Sequence, residues 1–146
     1  MILSEIRLSW LAVVAAVVMS AGLSGCGGGS GPELGYVEGY ITIDDEPASA
    51  LMVEFQPQGG AGSPSVGTTD DNGWYRLQFT GKRQGALLGT HTIRVTYGDA
   101  SPDNPPPAII PHRYNKRSEL TAEVERGSNQ HDFDLKLGEP MSQASR

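Results

Sequence analysis

Apolar and polar residues alternate in short runs along this chain, and segments rich in Gly, Pro, Asp and Asn separate the runs. In YVEGYITI (36–43), Val37, Gly39, Ile41 and Ile43 fall on one face, and the residues between them fall on the other. Successive side chains of a β-strand point to opposite faces, so this period of two predicts a strand with one buried face.

The same alternation predicts further strands, and their inward residues form the candidate core. These residues are Leu51, Val53, Phe55, Tyr75, Leu77, Phe79, His91, Ile93, Val95, Leu120, Ala122, Val124, Phe133, Leu135 and Leu137. Between the runs, 44–49 has the composition of a turn and 126–130 that of a hairpin turn. Prolines exclude regular structure from 98–107, and Pro111 makes 108–115 an edge strand or a crossing loop. Six to eight short strands predict an all-β fold, an antiparallel β-sandwich of two sheets packed face to face.

Length and charge narrow the class of protein. The 146 residues suggest one domain, and the net charge is −6. Glu5 and Arg7 cancel within the first 25 residues, so the rest of the chain carries the whole negative charge. An acidic body excludes nucleic acid or an anionic membrane surface as the main partner, because both attract clustered Lys and Arg. The single cysteine excludes an internal disulfide.

The N-terminal segment has the pattern of an export signal. An apolar run of about 14 residues, WLAVVAAVVMSAGL, ends in small residues, as in secretory signal peptides. Extended from Trp10 to Gly25, the run has only about 16 residues, fewer than the roughly 20 that span a membrane. An uncleaved membrane helix and an ordinary signal peptide with an incidental cysteine are the alternatives.

Leu23, Ser24, Gly25 and Cys26 resemble the bacterial lipobox. The resemblance implies that Cys26 receives a diacylglyceryl group and further acylation (palmitate or a similar chain), which would give a stable membrane anchor. Gly27 stands where an Asp would resemble an inner-membrane retention signal, so the outer membrane is favoured in a cell with two membranes. The predicted organisation is a signal peptide (1–25), an acylated cysteine with a flexible tether (26–35), the sandwich (36–138) and a disordered tail (139–146).

A second resemblance covers residues 36 to about 97. YVEGYITIDDEPASALMVEFQP resembles the opening of carboxypeptidase regulatory-like domains, with its Val-x-Gly and Val-x-Phe strands. GTTDDNGWYRL is similar to that family's Thr-Asp-x-x-Gly-x-Tyr stretch, and GALLGTHTIRV resembles the strand that follows, with His91 where an aromatic residue is usual. The segment from Ile109 to Leu135 resembles small exported lipoproteins of planctomycete type. The resemblance implies a transthyretin-like, immunoglobulin-like sandwich.

The DDNG segment is predicted to be a structural turn. The Asp70 carboxylate can accept hydrogen bonds from backbone amides, and Asn72 and Gly73 tolerate positive φ. The full calcium-loop pattern is missing, so weak calcium binding at this turn is only the alternative.

Catalytic motifs are missing from the sequence. It has no Gly-x-Ser-x-Gly elbow, and no cysteine remains once Cys26 is acylated. His91, His112 and His131 have spacings that match no zinc signature. The hydroxyisourate hydrolase of the transthyretin-like group needs an N-terminal His and a Tyr-Arg-Gly-Ser tail, which this chain lacks, and the family's zinc carboxypeptidase domain is absent. We expect no enzyme activity, no cofactor and no metal.

Four aromatic residues are predicted to face outward: Tyr36, Tyr40, Trp74 and Tyr97. Exposed rings of this kind stack on sugars or lie in protein interfaces, unless the 98–107 loop covers them. The sequence therefore predicts a non-enzymatic, lipid-anchored β-sandwich of the cell envelope, a structural or protein-binding module. The alternative is a carbohydrate-binding or adhesion module that uses the aromatic residues. Its partners would be the membrane, through the lipid, and an envelope protein or glycan.

Overall fold

A computed structural model describes residues 31–60 and 62–138, and ten strands form within them. They are β1 (Leu34–Ile43), β2 (Glu46–Pro47), β3 (Leu51–Pro57), β4 (Ser65–Thr68), β5 (Trp74–Arg76), β6 (Ala86–Leu87), β7 (Gly89–Tyr97), β8 (Thr121–Val124), β9 (Ser128–Gln130) and β10 (Phe133–Leu135). β2 and β6 have only two residues each. Without them the strand count is eight, the upper end of the six to eight strands predicted from the sequence. The first strand begins at Leu34, two residues before the predicted start of the sandwich.

The first sheet is organised around β1, which contacts every other strand of that sheet. On one side β6, β5 and β2 pair with β1 in turn, all antiparallel. On the other side β9 and β10 pair with it in parallel. The sheet has six strands but is at most three strands wide at any level, and β1 runs through its whole length.

The second sheet is antiparallel, with the strand order β4-β3-β7-β8. The two sheets meet on one side, where Val66 and Gln78 form a backbone bridge. On the other side, side chains cover the free edge of β8: the His131 Nε2–H donates to the Glu123 carbonyl at 3.0 Å, and Asn129 bonds both backbone groups of Glu125. Both edges are thereby protected from pairing with another chain.

The core lies between the two sheets, and the alternation predicted most of it. Phe79 and Leu137, predicted to point inward, are half-buried and lie outside the core, because they come after the ends of β5 and β10, where the alternation of an extended strand stops. The fully buried apolar side chains include Val37, Ile41, Leu51, Val53, Phe55, Tyr75, Leu77, Ile93, Val95 and Leu135. The Phe55 ring is central, with its centroid 6.4 Å from that of Tyr75, 5.8 Å from His91 and 6.0 Å from His131. Because these side chains come from both sheets, the fold is an all-β sandwich, as predicted.

Two connections correct or sharpen the sequence reading. The prediction of a hairpin turn at 126–130 is wrong, because Ser128–Gln130 is β9 and pairs in parallel with β1. Turn-forming residues around Gly127, which has φ of 89°, suit a crossing between sheets as well as a hairpin. Segment 108–115 is a crossing loop rather than an edge strand, and it contains a short 3-10 helix (His112–Tyr114).

Several predictions lie outside the described residues. These are the signal peptide, the lipobox residues Leu23, Ser24 and Gly25, the acylated Cys26, and the tail at 139–146. Within the described residues, no helix is long and apolar enough to cross a membrane.

Candidate functional site

The outer side of β1 and β5 carries a cluster that we call the aromatic face: Tyr36, Glu38, Tyr40, Trp74 and Arg76. Tyr40 lies directly opposite Trp74, and Glu38 lies directly opposite Arg76, across the antiparallel pair. Side chains in such positions have Cβ atoms about 4.5–5.5 Å apart and contact each other. Tyr40 is 46% exposed, whereas Tyr36 and Trp74 are half-buried.

Arg76 holds the aromatic face together. Its guanidinium carbon is 5.2 Å from the ring centroid of Tyr36 and 4.8 Å from that of Trp74, within the range of cation–π attraction. Its Nη2 is 3.9 Å from Glu38 Oε2, and the Tyr36 hydroxyl donates to the same oxygen at 3.2 Å. Partial desolvation raises the pKa of Tyr36, the Arg76 charge opposes that rise, and the bond to Glu38 adds to it. The arginine is therefore fixed by neighbours on the surface.

A groove of about 480 Å³ adjoins the aromatic face, where β4 meets the end of β5. Its lining residues are Met52, Val66, Gly67, Thr68, Trp74, Arg76, Gln78 and Gln84. We call it the β4–β5 groove. Gly67 permits the close approach of the strands, because a Cβ at that position would lie 2.5 Å from the Arg76 carbonyl oxygen.

Tyr97 does not belong to the aromatic face, which corrects the prediction that it faces outward. It is in phase with Val95 on β7 and packs partly buried against the core. Burial raises the pKa of its hydroxyl. Pro106, Ala108 and Ile109 line the same hollow of about 290 Å³ as Tyr97. The long loop thus adjoins Tyr97, while the other three aromatic residues lie on the aromatic face.

The turn before β5 positions Trp74. Asp70 Oδ1 accepts hydrogen bonds from the backbone amides of Asn72, at 2.9 Å, and Trp74, at 3.0 Å. The Gly73 amide donates to the Asp70 carbonyl at 2.9 Å, and Gly73 has φ of 76°. Backbone amides therefore occupy one carboxylate oxygen of Asp70. These bonds fix the position of Trp74, the first residue of β5.

None of the three histidine side chains belongs to the aromatic face. His91 is 1% exposed, its Nδ1–H donates to the Gly89 carbonyl at 2.9 Å, and its Nε2 has no hydrogen-bond partner among the described residues. Burial lowers the pKa of His91. His131 closes the edge of β8, and His112 is exposed on the 3-10 helix. Among residues 31–60 and 62–138, no three His, Cys, Asp or Glu side chains converge to hold a metal ion.

Sequence reasoning named neither the two charged residues of the aromatic face, Glu38 and Arg76, nor the rest of the groove lining: Met52, Val66, Gly67, Thr68, Gln78 and Gln84. Alternation already placed Glu38, Arg76 and Gln78 outward, but alternation gives the face of a strand and not its partner. The register between β1 and β5 puts Glu38 opposite Arg76, and backbone bridges from Gln78 to Val66 and to Gln84 place the groove residues. Comparison of the chain with protein-family models, curated proteins and solved structures finds no match.

Proposed function

We propose that this chain is a non-catalytic binding module, held at the cell envelope by lipid on Cys26, and that it binds through the aromatic face. The observation that supports this most is the cross-strand pair of Tyr40 and Trp74, with Arg76 stacked on the Trp74 ring. Aromatic and Arg side chains are enriched where proteins bind partners, because they offer a large contact area with a polar end.

The aromatic face is not needed to fill the core. The inward side of β1 and β5 already packs Val37, Ile41 and Tyr75 between the sheets with no exposed surface. An exposed Tyr40 therefore contributes little to stability. A surface that keeps rings available at low cost to the fold suits recognition of a ligand.

The lipid anchor has its own test. Cys26→Ala should abolish incorporation of labelled lipid and leave an unprocessed or soluble form, because the sulfur is the attachment atom. Ser30→Ala, four residues beyond the cysteine, is the matched control and should be labelled like the wild type. Unchanged labelling and membrane attachment of the Cys26→Ala protein would overturn the proposed anchor.

Binding is tested with a soluble chain that begins at Gly27 and contains the whole compact unit from Pro32 onward. This protein should bind isolated envelopes saturably, and Tyr40→Ala should weaken the binding at least tenfold. Arg94→Gln is the control, because Arg94 is an exposed arginine paired with Glu54 on the outer side of the other sheet. Equal affinity of the Tyr40→Ala protein and the wild type would overturn the assignment of the aromatic face.

A second candidate is the docking of an envelope protein at the end of the sandwich where β7 finishes. Ile109 is 85% exposed there, beside the hollow that Tyr97 lines. This end lies opposite the entry of the chain, because Gly35 contacts Val124, which pairs with Gly89 at the start of β7. If this candidate is correct, Ile109→Ser abolishes binding and Tyr40→Ala preserves it, the reverse of the result expected for the aromatic face.

A further inference from the structure

We propose that the β4–β5 groove binds a saccharide that carries a carboxylate, and that Arg76 is the residue that recognises the carboxylate. The inference rests on the proposed function, since the groove shares Trp74 and Arg76 with the aromatic face. It adds the chemical class of the ligand, which the aromatic residues by themselves do not give.

The charge of the groove favours an anionic ligand. The lining residues in the described chain include one cation, Arg76, and no carboxylate, although the whole protein has a net charge of −6. Glu38 forms a long ion pair with Arg76, 3.9 Å from Nη2 to Oε2, which is too far for a hydrogen bond, and the same Oε2 already accepts from Tyr36. The guanidinium thus retains hydrogen-bonding capacity for an incoming anion.

The way Arg76 is held suits a carboxylate in particular. Two rings contact the guanidinium, Tyr36 at 5.2 Å and Trp74 at 4.8 Å, while the side chain remains 39% exposed. A guanidinium fixed in this way presents a planar set of donors that matches the two oxygens of a carboxylate. Because its position is set before binding, less conformational freedom is lost when the ligand arrives.

The rest of the groove suits the hydroxyl groups of a sugar. Thr68, Gln78 and Gln84 supply a hydroxyl and two amides, which both donate and accept hydrogen bonds. Trp74 offers an apolar surface for the C–H face of a sugar ring. The volume of about 480 Å³ is within the range of about 300–1,000 Å³ that is usual for small-ligand sites.

The backbone of the groove does not suit an extended peptide. A peptide that adds a strand needs free backbone donors and acceptors along an edge. Here Val66 and Gln78 pair with each other, amide to carbonyl in both directions, at 2.9 and 2.8 Å. The Asp70 turn likewise occupies the backbone amide and carbonyl of Trp74. Recognition therefore falls to side chains, as expected for a saccharide.

The test is calorimetric titration of the soluble chain from Gly27 with oligosaccharides of galacturonate, mannuronate and hyaluronate. Each is compared with its carboxyl-reduced counterpart, which has the same rings without the charge. We expect binding to at least one acidic oligosaccharide and at least tenfold weaker binding to its reduced form. Affinity for the acidic form should fall as salt is raised, because an ion pair contributes to it.

Variants assign the binding to the groove. Arg76→Gln and Arg76→Lys should each weaken binding of the acidic oligosaccharide at least tenfold, since lysine keeps the charge and loses the planar fork. Gln84→Ala should weaken the acidic and the reduced forms by a similar factor. Arg94→Gln, on the other sheet, should bind like the wild type. Urea unfolding of every variant checks that the titrated protein is folded.

Each remaining outcome decides against a defined part of the proposal. Equal affinity for acidic and reduced forms overturns the role of the carboxylate, and binding of a carboxylate-terminated peptide without any saccharide overturns the ligand class. If no oligosaccharide binds while envelope binding still depends on Tyr40, this inference is wrong and the proposed function stands. If envelope binding is independent of Tyr40, the proposed function itself is wrong.

Discussion

The two faces of β1 carry alternate residues of one strand, and they differ in what their contacts leave free. On the inner face, Val37 and Ile41 are completely buried, and Gly39 lies against the backbone of His131. On the outer face, Tyr36 is half-buried and Tyr40 is exposed. Tyr36 lies beside the Arg76 side chain and Tyr40 lies opposite Trp74. The inner contacts are fully used by the fold, whereas the outer ones leave rings and a guanidinium available to a ligand.

Substitutions on the two faces of β1 should therefore change different measured quantities. Substitutions on the inner face should reduce the free energy of unfolding, because they disturb close packing. Substitutions on the outer face should reduce affinity for a ligand and leave unfolding nearly unchanged. Tyr75 and Tyr40 make the contrast direct, since both are tyrosines but lie on opposite faces of neighbouring strands.

The largest effect is expected at Gly39. A Cβ there would lie 1.9 Å from the carbonyl oxygen of His131 and 2.6 Å from its carbonyl carbon, so Gly39→Ala forces a backbone shift. We expect a loss of about 3 kcal/mol in the free energy of unfolding, measured by urea denaturation. Gly138→Ala is the control, because no heavy atom lies within 4 Å of a Cβ at that position. Similar midpoints for the two variants would contradict the described contact between β1 and the β9–β10 connection.

A smaller effect is expected at Tyr75. Its hydroxyl donates to the His131 carbonyl at 2.7 Å, and burial raises its pKa well above the usual value, so it stays protonated. Tyr75→Phe should cost about 1–2 kcal/mol, because the partly buried carbonyl of His131 loses this hydrogen-bond donor. Tyr40→Phe, on the outer face, should change stability by less than about 0.5 kcal/mol. An equal loss in both variants would remove the distinction between the faces.

The smallest effect is a pH dependence at His91. Burial lowers the pKa of His91, and the charge of His131 adds to this, while the Gly89 carbonyl and Glu123 oppose it. The unfolded chain therefore binds a proton at higher pH than the folded one. Stability should decrease below about pH 6.5, by at most about 1.4 kcal/mol per pH unit, until the lower folded pKa is reached.

Replacement of the imidazole tests this dependence. His91→Asn keeps a donor for the Gly89 carbonyl and cannot titrate, so its unfolding midpoint should vary less between pH 7.5 and pH 5. His112→Asn, at an exposed position, should retain the wild-type dependence. If His91→Asn shows the same slope as the wild type, the acid sensitivity comes from another group.

Alternation predicted the faces of the strands well and their partners poorly. It placed Phe55 and Tyr75 in the core because side-chain direction is a local property of an extended chain. The parallel pairing of β9 and β10 with β1 joins residues more than ninety positions apart, such as Tyr36 and Ser128, and no local pattern specifies that. The hairpin predicted at 126–130 was wrong for this reason.

For the candidate site, too, the sequence predicted which side chains face outward but not which of them lie together. The outward positions of Tyr40 and Trp74 follow from alternation, and Asp70 and Gly73 indicated the turn that begins β5. The stacking of Arg76 on two rings and the β4–β5 groove depend on register and on the approach of Gly67 to β5. Tyr97 was wrongly grouped with the outward aromatic residues. It lies two residues after the buried Val95 on β7, so the same alternation places its side chain inward.

The most direct measurement compares Tyr40→Ala and Tyr75→Phe in two assays, affinity for isolated envelopes and urea unfolding. Tyr40→Ala should lose at least tenfold in affinity with an unchanged unfolding midpoint. Tyr75→Phe should unfold at lower urea and, while folded, should bind like the wild type. Full affinity of the Tyr40→Ala protein, or an equal loss of affinity in both proteins, would contradict the division of β1 into a folding face and a binding face.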